Sequence, residues 1–326
     1  MSLFTKKNGK AVETPRFQSP IADTHCHLDH LDVEDSGSGD WQMFENAADA
    51  LARAAFAGLA FIVWVTEPFD DFTYGDDLFA PLAIMQARAK EIIERKLSEG
   101  LVLPENVRAL SDEESLPHHI RITIGCHPHD AQKYTDEIEA RIIRALSDSR
   151  VSAIGEIGLD YFYDFSPRDV QQEVFRRQIR LAQNYNRPIA LHIRDAHDDA
   201  YRILQEEGVP RAGAVLHSFN LGLETYEKFA ELGCMFSIGG PLTFANAGKD
   251  LREAMAKSNP KLLMSETDAP FLAPAPLRGV RCEPALTVFT VDRLLTILSE
   301  AGYDREEVEQ TLYQNALKFY DYKANE

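Results

Sequence analysis

Eight short apolar segments, spread along most of the 326 residues, constrain the fold more than any other feature of this sequence. Most are followed by a segment with the apolar spacing of an amphipathic helix. The predicted strands are Ile21–His27, Leu59–Val65, Ile120–Cys126, Val151–Ile157, Pro188–His192, Ala214–His217, Cys234–Ile238 and Lys261–Glu266. Repeated strand–helix units predict a parallel sheet, and eight of them predict a (β/α)8 TIM barrel. An open, doubly wound sheet is the alternative, and it would spread the residues at the strand ends along a line.

We predict one domain over residues 18–326, interrupted by a long insertion at residues 66–119. The insertion follows the second strand, so in a barrel we expect it on the catalytic face. Its first part, Thr66–Asp77, carries five acidic residues and no lysine or arginine; the acidic residues are Glu67, Asp70, Asp71, Asp76 and Asp77. Above the mouth of a barrel these charges would repel a long polyanion, which favours a short or single-stranded end, or a small substrate.

Charge and cysteine usage narrow the class of protein. Lys and Arg number 34 against 52 Asp and Glu, so the formal net charge is −18, unlike that of proteins that coat nucleic acid. The four cysteines form no C-x-x-C pair, which is typical of reduced cysteines in the cytoplasm; they are Cys26, Cys126, Cys234 and Cys282. We see no signal peptide and no stretch near the roughly 18 apolar residues of a membrane helix. We therefore expect a cytoplasmic protein with no membrane contact and no obligate protein partner.

Six potential metal ligands come at the ends of five predicted strands or just after them. His25 and His27 are two residues apart on the first strand, so their side chains share a face. The others are Glu156, His192, His217 and Asp268. Four imidazoles and two carboxylates are too many ligands for one tetrahedral ion and enough for two divalent ions about 3.5–4 Å apart. Glu156 is the natural bridge, because a carboxylate has two oxygens. This ligand set suits Zn, Mn, Ni or Fe, and Mg less well.

The motifs around these residues resemble those of TatD-type metal-dependent hydrolases, which are amidohydrolase-like barrels. The similar motifs are Asp23–Asp29 (DTHCHLD), Gly125–His129 (GCHPH), Gly155–Tyr161 (GEIGLDY) and Glu266–Pro270 (ETDAP). The resemblance runs from about Ile21 to about Asn315. It implies a TIM barrel with two divalent ions and a deoxyribonuclease (DNase) activity that often releases nucleotides from a 3′ end.

The resemblance also implies how the ligands divide. His25, His27 and Asp268 would hold one ion, and His192 and His217 the other, with Glu156 as the bridge. The departures from the family pattern are the insertion, Asn220 and Cys282, and none of them is a metal ligand.

The predicted chemistry is hydrolysis by two metal ions that activate a water molecule and polarise a phosphoryl or carbonyl oxygen. Asp268 is the best general-base candidate, since a carboxylate beside the ions can accept the proton of the water and metal-bound histidines cannot. The predicted catalytic residues are therefore Asp268 and the bridging Glu156.

Four further residues are candidates for binding substrate. His127 and His129 flank Pro128 at the end of the third strand, where we expect them to contact substrate or its phosphate. Arg278 and Arg281 lie in a loop after the last strand; beside a phosphate site their planar guanidinium groups fit two oxygens, although arginines more often form salt bridges. For another four residues, a role at the site and simple packing or ion pairing remain open; they are Asp23, Asp160, Tyr161 and Arg194.

Three functions follow from these residues. The first is an exonuclease that acts on DNA ends or short single-stranded nucleic acid. The second is an amidohydrolase, esterase or deacylase that uses the same metal pair on a small ester or amide. The third, a non-catalytic binding protein, is disfavoured because all six expected ligands are present.

Overall fold

A parallel sheet of eight strands forms the centre of the molecule in the computed structural model, which describes residues 3–31, 44–69, 77–245 and 249–321. A short antiparallel hairpin precedes the sheet, made of β1 (Phe4–Thr5) and β2 (Ala11–Val12). The eight strands are β3 (Ile21–Cys26), β4 (Leu59–Thr66), β5 (Ile120–Ile124), β6 (Val151–Asp160), β7 (Ile189–Arg194), β8 (Ala214–Leu216), β9 (Met235–Ile238) and β10 (Leu263–Ser265). Each pairs in parallel with its neighbour along the chain, as repeated strand–helix units require.

Contacts between the first and last strands close this sheet into a barrel. Cys26 and Ala269 form a parallel bridge. Thr24 Oγ1 donates to the carbonyl of Ser265 at 3.1 Å, and Ser265 Oγ donates to that of Ala22 at 2.8 Å. The predicted TIM barrel is therefore confirmed, and the open sheet is excluded.

Ten α-helices lie within the described residues and cover the barrel. They are α1 (Glu45–Ala57), α2 (Ala80–Ser98), α3 (Glu105–Arg108), α4 (Asp136–Ala145), α5 (Arg168–Asn184), α6 (His197–Glu207), α7 (Leu223–Glu231), α8 (Lys249–Lys257), α9 (Thr287–Glu300) and α10 (Arg305–Tyr320). Local sequence sets several of their ends. Thr135 caps α4 by accepting from the backbone N–H of Ile138, and α1 ends at Gly58, whose φ of 99° favours glycine. Among the described residues no helix has the length and apolar character to cross a bilayer.

The segment 66–119 does not lie wholly on the catalytic face, contrary to the sequence-based expectation. Its helix α2 packs beside α1, as a helix after a barrel strand normally does. In α3, Asn106 Nδ2 donates to the carbonyl of Ser19 at 2.8 Å and to that of Gly58 at 3.1 Å. These carbonyls come just before β3 and β4, so α3 lies at the opposite, N-terminal end of the barrel. The sequence does not predict which end of the barrel α3 covers, because the length of a connection does not determine its path.

The acidic start of this segment is only partly described. Asp70, Asp71 and Asp76 lie outside the described residues. Asp77 accepts from Arg150 Nη2 at 2.5 Å, so its charge is paired beside the start of β6. The predicted repulsion of a polyanion therefore rests on the remaining acidic residues and stays a prediction.

The last helix closes the N-terminal end of the barrel. Asn315 Nδ2 donates to the carbonyls of Pro260 and Leu263, at 2.9 and 2.8 Å. Glu309 accepts from the backbone N–H of Ser19, and Asp321 pairs with Arg121. These partners lie at the starts of β3, β5 and β10. The buried rings of α10 pack against small residues of the strands and fill the N-terminal end of the barrel. This cluster includes Ala22, Ala60, Ala153, Ala190, Phe319 and Tyr320.

Candidate metal centre

The carboxylate of Glu156, in β6, lies between two pairs of histidines at the C-terminal mouth of the barrel. Its Oε2 is 3.4 Å from Nε2 of His25 and 3.4 Å from Nε2 of His27. Its Oε1 is 2.8 Å from Nε2 of His217 and 3.3 Å from Nδ1 of His192. Each oxygen therefore faces one pair, which is the geometry that a bridging carboxylate requires.

Asp268 lies on the side of the first histidine pair. Its Oδ1 is 3.9 Å from Nε2 of His25 and 3.8 Å from Nε2 of His27. Its backbone N–H donates to the carbonyl of His25 at 2.9 Å, which ties the segment after β10 to the end of β3. Its φ of 64° is in the left-handed region, which Asp adopts more readily than most residues. All six predicted ligands thus converge at one point.

Burial and the neighbouring histidines have opposite effects on the pKa of Glu156. Burial favours its neutral form, but interactions with the surrounding histidines, first His217 and then His25, outweigh that effect and hold the pKa of Glu156 well below its usual range. The pKa of His27 responds in the opposite sense: burial lowers it, but the hydrogen bond to Glu156 and its charge raise it to about 9. The carboxylate is thus ionised and attracts positive charge to the space between the histidines.

Unpaired nitrogens at this site fit the presence of a cation. Both ring nitrogens of His25 and Nδ1 of His217 are buried and have no hydrogen-bond partner within the described part of the chain. Leaving buried polar atoms unpaired is costly. A divalent cation between His25, His27 and Glu156 would take up Nε2 of His25, and these three side chains have ligand atoms within 4.8 Å of one another. The same holds for Glu156, His192 and His217.

Asp160 orients His192, one of the predicted ligands, by contacting the ring nitrogen that does not face Glu156. It is fully buried at the end of β6, and its Oδ2 is 3.2 Å from Nε2 of His192 and 2.7 Å from Nε2 of His129. His192 therefore turns Nδ1 toward Glu156 and Nε2 toward a carboxylate, the arrangement that usually orients a metal-binding histidine. The sequence left the role of Asp160 open, and the structure places it in contact with the site.

Glu266 lies behind His217 without a hydrogen bond to it, and the sequence-based reasoning assigned it no role. It is fully buried, and its Oε1 is 3.9 Å from Nδ1 of His217 and accepts from the backbone N–H of Ser218 at 2.5 Å. Burial raises the pKa of Glu266 well above its usual range. A signal was present, because Glu266 directly follows β10 and stands two residues before Asp268.

Asp23 holds two strands together. Its Oδ2 accepts from Thr267 Oγ1 at 2.6 Å, and its Oδ1 accepts from the backbone N–H groups of Thr267 and His25 at 2.9 and 3.2 Å. Burial raises its pKa to about 7. It thus fixes the backbone that carries His25, and its oxygens are satisfied by donors of the protein.

The predicted substrate-binding residues separate into two groups. The ring centroid of His127 is 4.3 Å from those of His192 and His129, so these histidines adjoin the six ligands. Arg281 donates to the carbonyl of His30, and the guanidinium of Arg278 lies 4.0 Å from the ring centroid of Phe244. Both arginines therefore already have partners within the protein.

The remaining open residues also have protein partners. Tyr161 Oη donates to Asp199 at 2.9 Å, so its hydroxyl is bound to α6 and not to a predicted ligand. The guanidinium of Arg194 lies 3.9 Å from the ring centroid of Phe162 and 4.8 Å from that of Tyr163.

Comparison with known sequences now identifies the family. The profile described as "TatD related DNase" matches residues 22–321. The chain belongs to the TatD family. One relative of this TatD-family protein is YabD of Bacillus subtilis, which is named an uncharacterized metal-dependent hydrolase. It is 39% identical over 234 residues, which cover 72% of this chain and 90% of YabD. YcfH of Escherichia coli K12, named likewise, is 30% identical over 305 residues, or 94% of this chain and 97% of YcfH.

Solved structures agree with this assignment. The TatD homolog YjjV of Escherichia coli K12 superposes with a TM-score of 0.67 at 28% identity, over 93% of this chain and 98% of YjjV. An organophosphorus hydrolase from Deinococcus radiodurans has a TM-score of 0.55 at 15% identity, over 98% of this chain and 97% of its own, and shares the fold. The TatD-family protein is accordingly a metal-dependent hydrolase.

Proposed function

We propose that this TatD-family hydrolase is a DNase that removes nucleotides from the 3′ end of a DNA strand. The observation that carries the proposal is the position of Glu156, with one carboxylate oxygen toward each histidine pair. His25, His27 and Asp268 would hold one divalent ion and His192 and His217 the other, with Glu156 shared. The mixture of imidazole and carboxylate favours Zn, Mn, Ni or Fe over Mg.

When bound, the two ions supply a nucleophilic water and stabilise charge on the phosphoryl oxygens. The protein positions the other groups. Asp268 accepts the proton of the attacking water, since its side chain is 16% exposed at the mouth whereas that of Glu156 is 7% exposed. The water oxygen bonds to phosphorus and the bond from phosphorus to the 3′ oxygen of the remaining strand breaks. That oxygen takes a proton from solvent to become a hydroxyl, and a nucleoside 5′-monophosphate leaves.

His127 and His129 are the best candidates for contacts to the scissile phosphate. They adjoin His192, and Asp160 fixes the ring of His129. Because Arg278 and Arg281 have partners in the protein, we assign them a lesser role, at phosphates farther along the strand.

The test uses single-stranded DNA with a labelled 3′-terminal nucleotide. Protein loaded with Mn or Zn should release the label, and Glu156→Ala should not. Release by both proteins would point to a contaminating nuclease. Absence of release by the wild type with Mn, Zn, Ni, Fe or Mg would refute the proposal.

A small ester or amide is the second candidate substrate. The formal net charge of −18 disfavours long polyanions, and the same metal pair suits carbonyl hydrolysis. Hydrolysis of p-nitrophenyl esters without release of nucleotides would support this alternative.

A further inference from the structure

Three aromatic side chains stand exposed beside the candidate metal centre. Phe162, Tyr163 and Phe165 are 55%, 46% and 61% exposed, and we call them the aromatic platform. They lie in the loop between β6 and α5, within five residues of Asp160. The rings of Tyr163 and Phe165 stack with centroids 5.2 Å apart, and Phe162 meets Tyr163 edge-on at 4.8 Å. A contiguous exposed aromatic cluster of this kind marks a binding surface more often than a packing defect.

The aromatic platform is continuous with the candidate metal centre. The ring centroid of His129 is 4.8 Å from that of Phe165 and 5.3 Å from that of Tyr163. On its other side, the ring of His129 is 6.0 Å from that of His192, and both histidines contact Asp160. One histidine ring therefore separates the platform from a predicted metal ligand, so a group attached directly to a phosphate at the centre can reach the platform.

The protein holds the platform in place before any ligand arrives. Asp160 Oδ1 accepts from the backbone N–H groups of Phe162 and Tyr163 at 2.9 and 3.0 Å. Gln132 Nε2 donates to the carbonyl of Phe165 at 2.9 Å. A surface that is ordered in advance loses less entropy on binding.

Charge adds a second feature that suits a nucleotide. The guanidinium of Arg194 lies over Phe162 and Tyr163 and places a positive charge at the platform. Arginine beside aromatic rings recurs where proteins bind single-stranded nucleic acid, because bases stack on the rings while the guanidinium contacts bases or phosphates.

We propose that the aromatic platform is a stacking site for a nucleobase next to the scissile phosphate of an unpaired strand. The proposal rests on the proposed function insofar as the substrate is a nucleic acid. Stacking depends little on sequence and does not need a strongly basic protein, which suits a chain with a net charge of −18. It also requires an unpaired base, because the faces of a base within a duplex are covered by its neighbours.

The test measures stacking directly in the metal-loaded protein. The probe is a short single-stranded oligonucleotide with the fluorescent base 2-aminopurine at its 3′ end and phosphorothioate linkages that resist hydrolysis. Binding to the wild type should quench the fluorescence of the base. The double variant Tyr163→Ala/Phe165→Ala should lose the quenching and bind about tenfold more weakly. Phe165→Tyr, which keeps the ring, should behave as the wild type does.

Tyr185→Ala is the matched control. Tyr185 is a 44% exposed aromatic residue at the end of α5, which returns the chain from the mouth to the other end of the barrel. This variant should quench and bind as the wild type does. Circular dichroism and thermal melting of each variant show that it has folded.

A second oligonucleotide keeps the sugars and phosphates of its two 3′-terminal nucleotides but lacks their bases. It separates the contribution of the base to binding from that of the phosphate. The wild type and the double variant should bind it equally. Equal binding of the complete probe by both proteins, or an unquenched 2-aminopurine in the wild type, would overturn the platform proposal. The proposed function would still stand in either case if labelled 3′ nucleotides are released, so the two failures are distinguishable.

Discussion

At the C-terminal mouth of the barrel, the buried ring of His25 has no hydrogen-bond partner among the described residues, whereas at the opposite end the buried amide of Asn315 donates to two carbonyls. The mouth brings together four histidines and two carboxylates that face one another. The base of the barrel is closed by aromatic rings and by side chains that bond to backbone groups. Among the described residues, the base also has unpaired buried atoms, Asn106 Oδ1 and His119 Nδ1, but three of those at the mouth belong to two histidines that face the same carboxylate. This difference separates a site held ready for a ligand from one that stabilises the fold.

The largest effect should come from removing the shared carboxylate. Glu156→Ala takes away the oxygens that face both histidine pairs, so we expect loss of bound metal and a fall in kcat of more than about 100-fold. Metal content by mass spectrometry and steady-state kinetics measure both. Glu309→Gln, at the base, is the matched control and should keep its metal and its kcat. Full metal content in Glu156→Ala would show that this carboxylate does not hold the ions.

The next effect concerns Asp160, which touches His192 but no other predicted ligand. Asp160→Asn keeps the shape of the side chain and weakens its hold on the histidine ring, so metal affinity should fall about 10- to 100-fold. Metal titration of the apoprotein measures the affinity, and thermal melting shows whether the fold has changed. An unchanged affinity would mean that Asp160 serves only the loop that carries the platform.

At the base, the expected effect is on stability rather than on chemistry. Asn315→Ala removes the donor to two buried carbonyls, so the free energy of unfolding should fall by about 2 kcal/mol. Urea denaturation measures that fall, and kcat of the folded protein should remain that of the wild type. A large loss of kcat at full folding would show that the base is coupled to the mouth.

The smallest effect should come from the acidic segment. Replacing Asp70, Asp71 and Asp76 by asparagine should raise activity on DNA, most at low salt, because screening weakens charge repulsion. Asp77→Asn is the contrast, since Asp77 is paired with Arg150; it should cost at most about 1 kcal/mol of stability and leave the salt dependence unchanged. An unaltered salt dependence in the triple variant would show that the acidic segment does not repel DNA.

Much of the site was predictable because barrel topology converts position along the chain into position in space. The ends of parallel strands meet at one mouth, so ligand-type residues at five strand ends converge. The bridging role of Glu156 was predictable because a carboxylate has two oxygens, and the two histidine pairs followed from the family resemblance. The roles of Asp160 and Glu266 were not predictable, because they depend on which ring nitrogen of a histidine each one faces.

Two other features were beyond sequence reasoning for different reasons. The course of residues 104–119 depends on long-range hydrogen bonds, such as that from Asn106 to Ser19, which leave no local pattern. The aromatic platform consists of residue types that are usually buried, and nothing in the sequence shows that Phe162 and Phe165 are exposed.

In the proposed mechanism, the unsatisfied groups of the mouth hold two ions on either side of Glu156. The most direct measurement is an anomalous difference map from crystals of the protein loaded with Mn or Zn. We expect two peaks about 3.5–4 Å apart, one beside His25 and His27 and the other beside His192 and His217, with Glu156 between them. A single peak, or peaks away from Glu156, would contradict this mechanism.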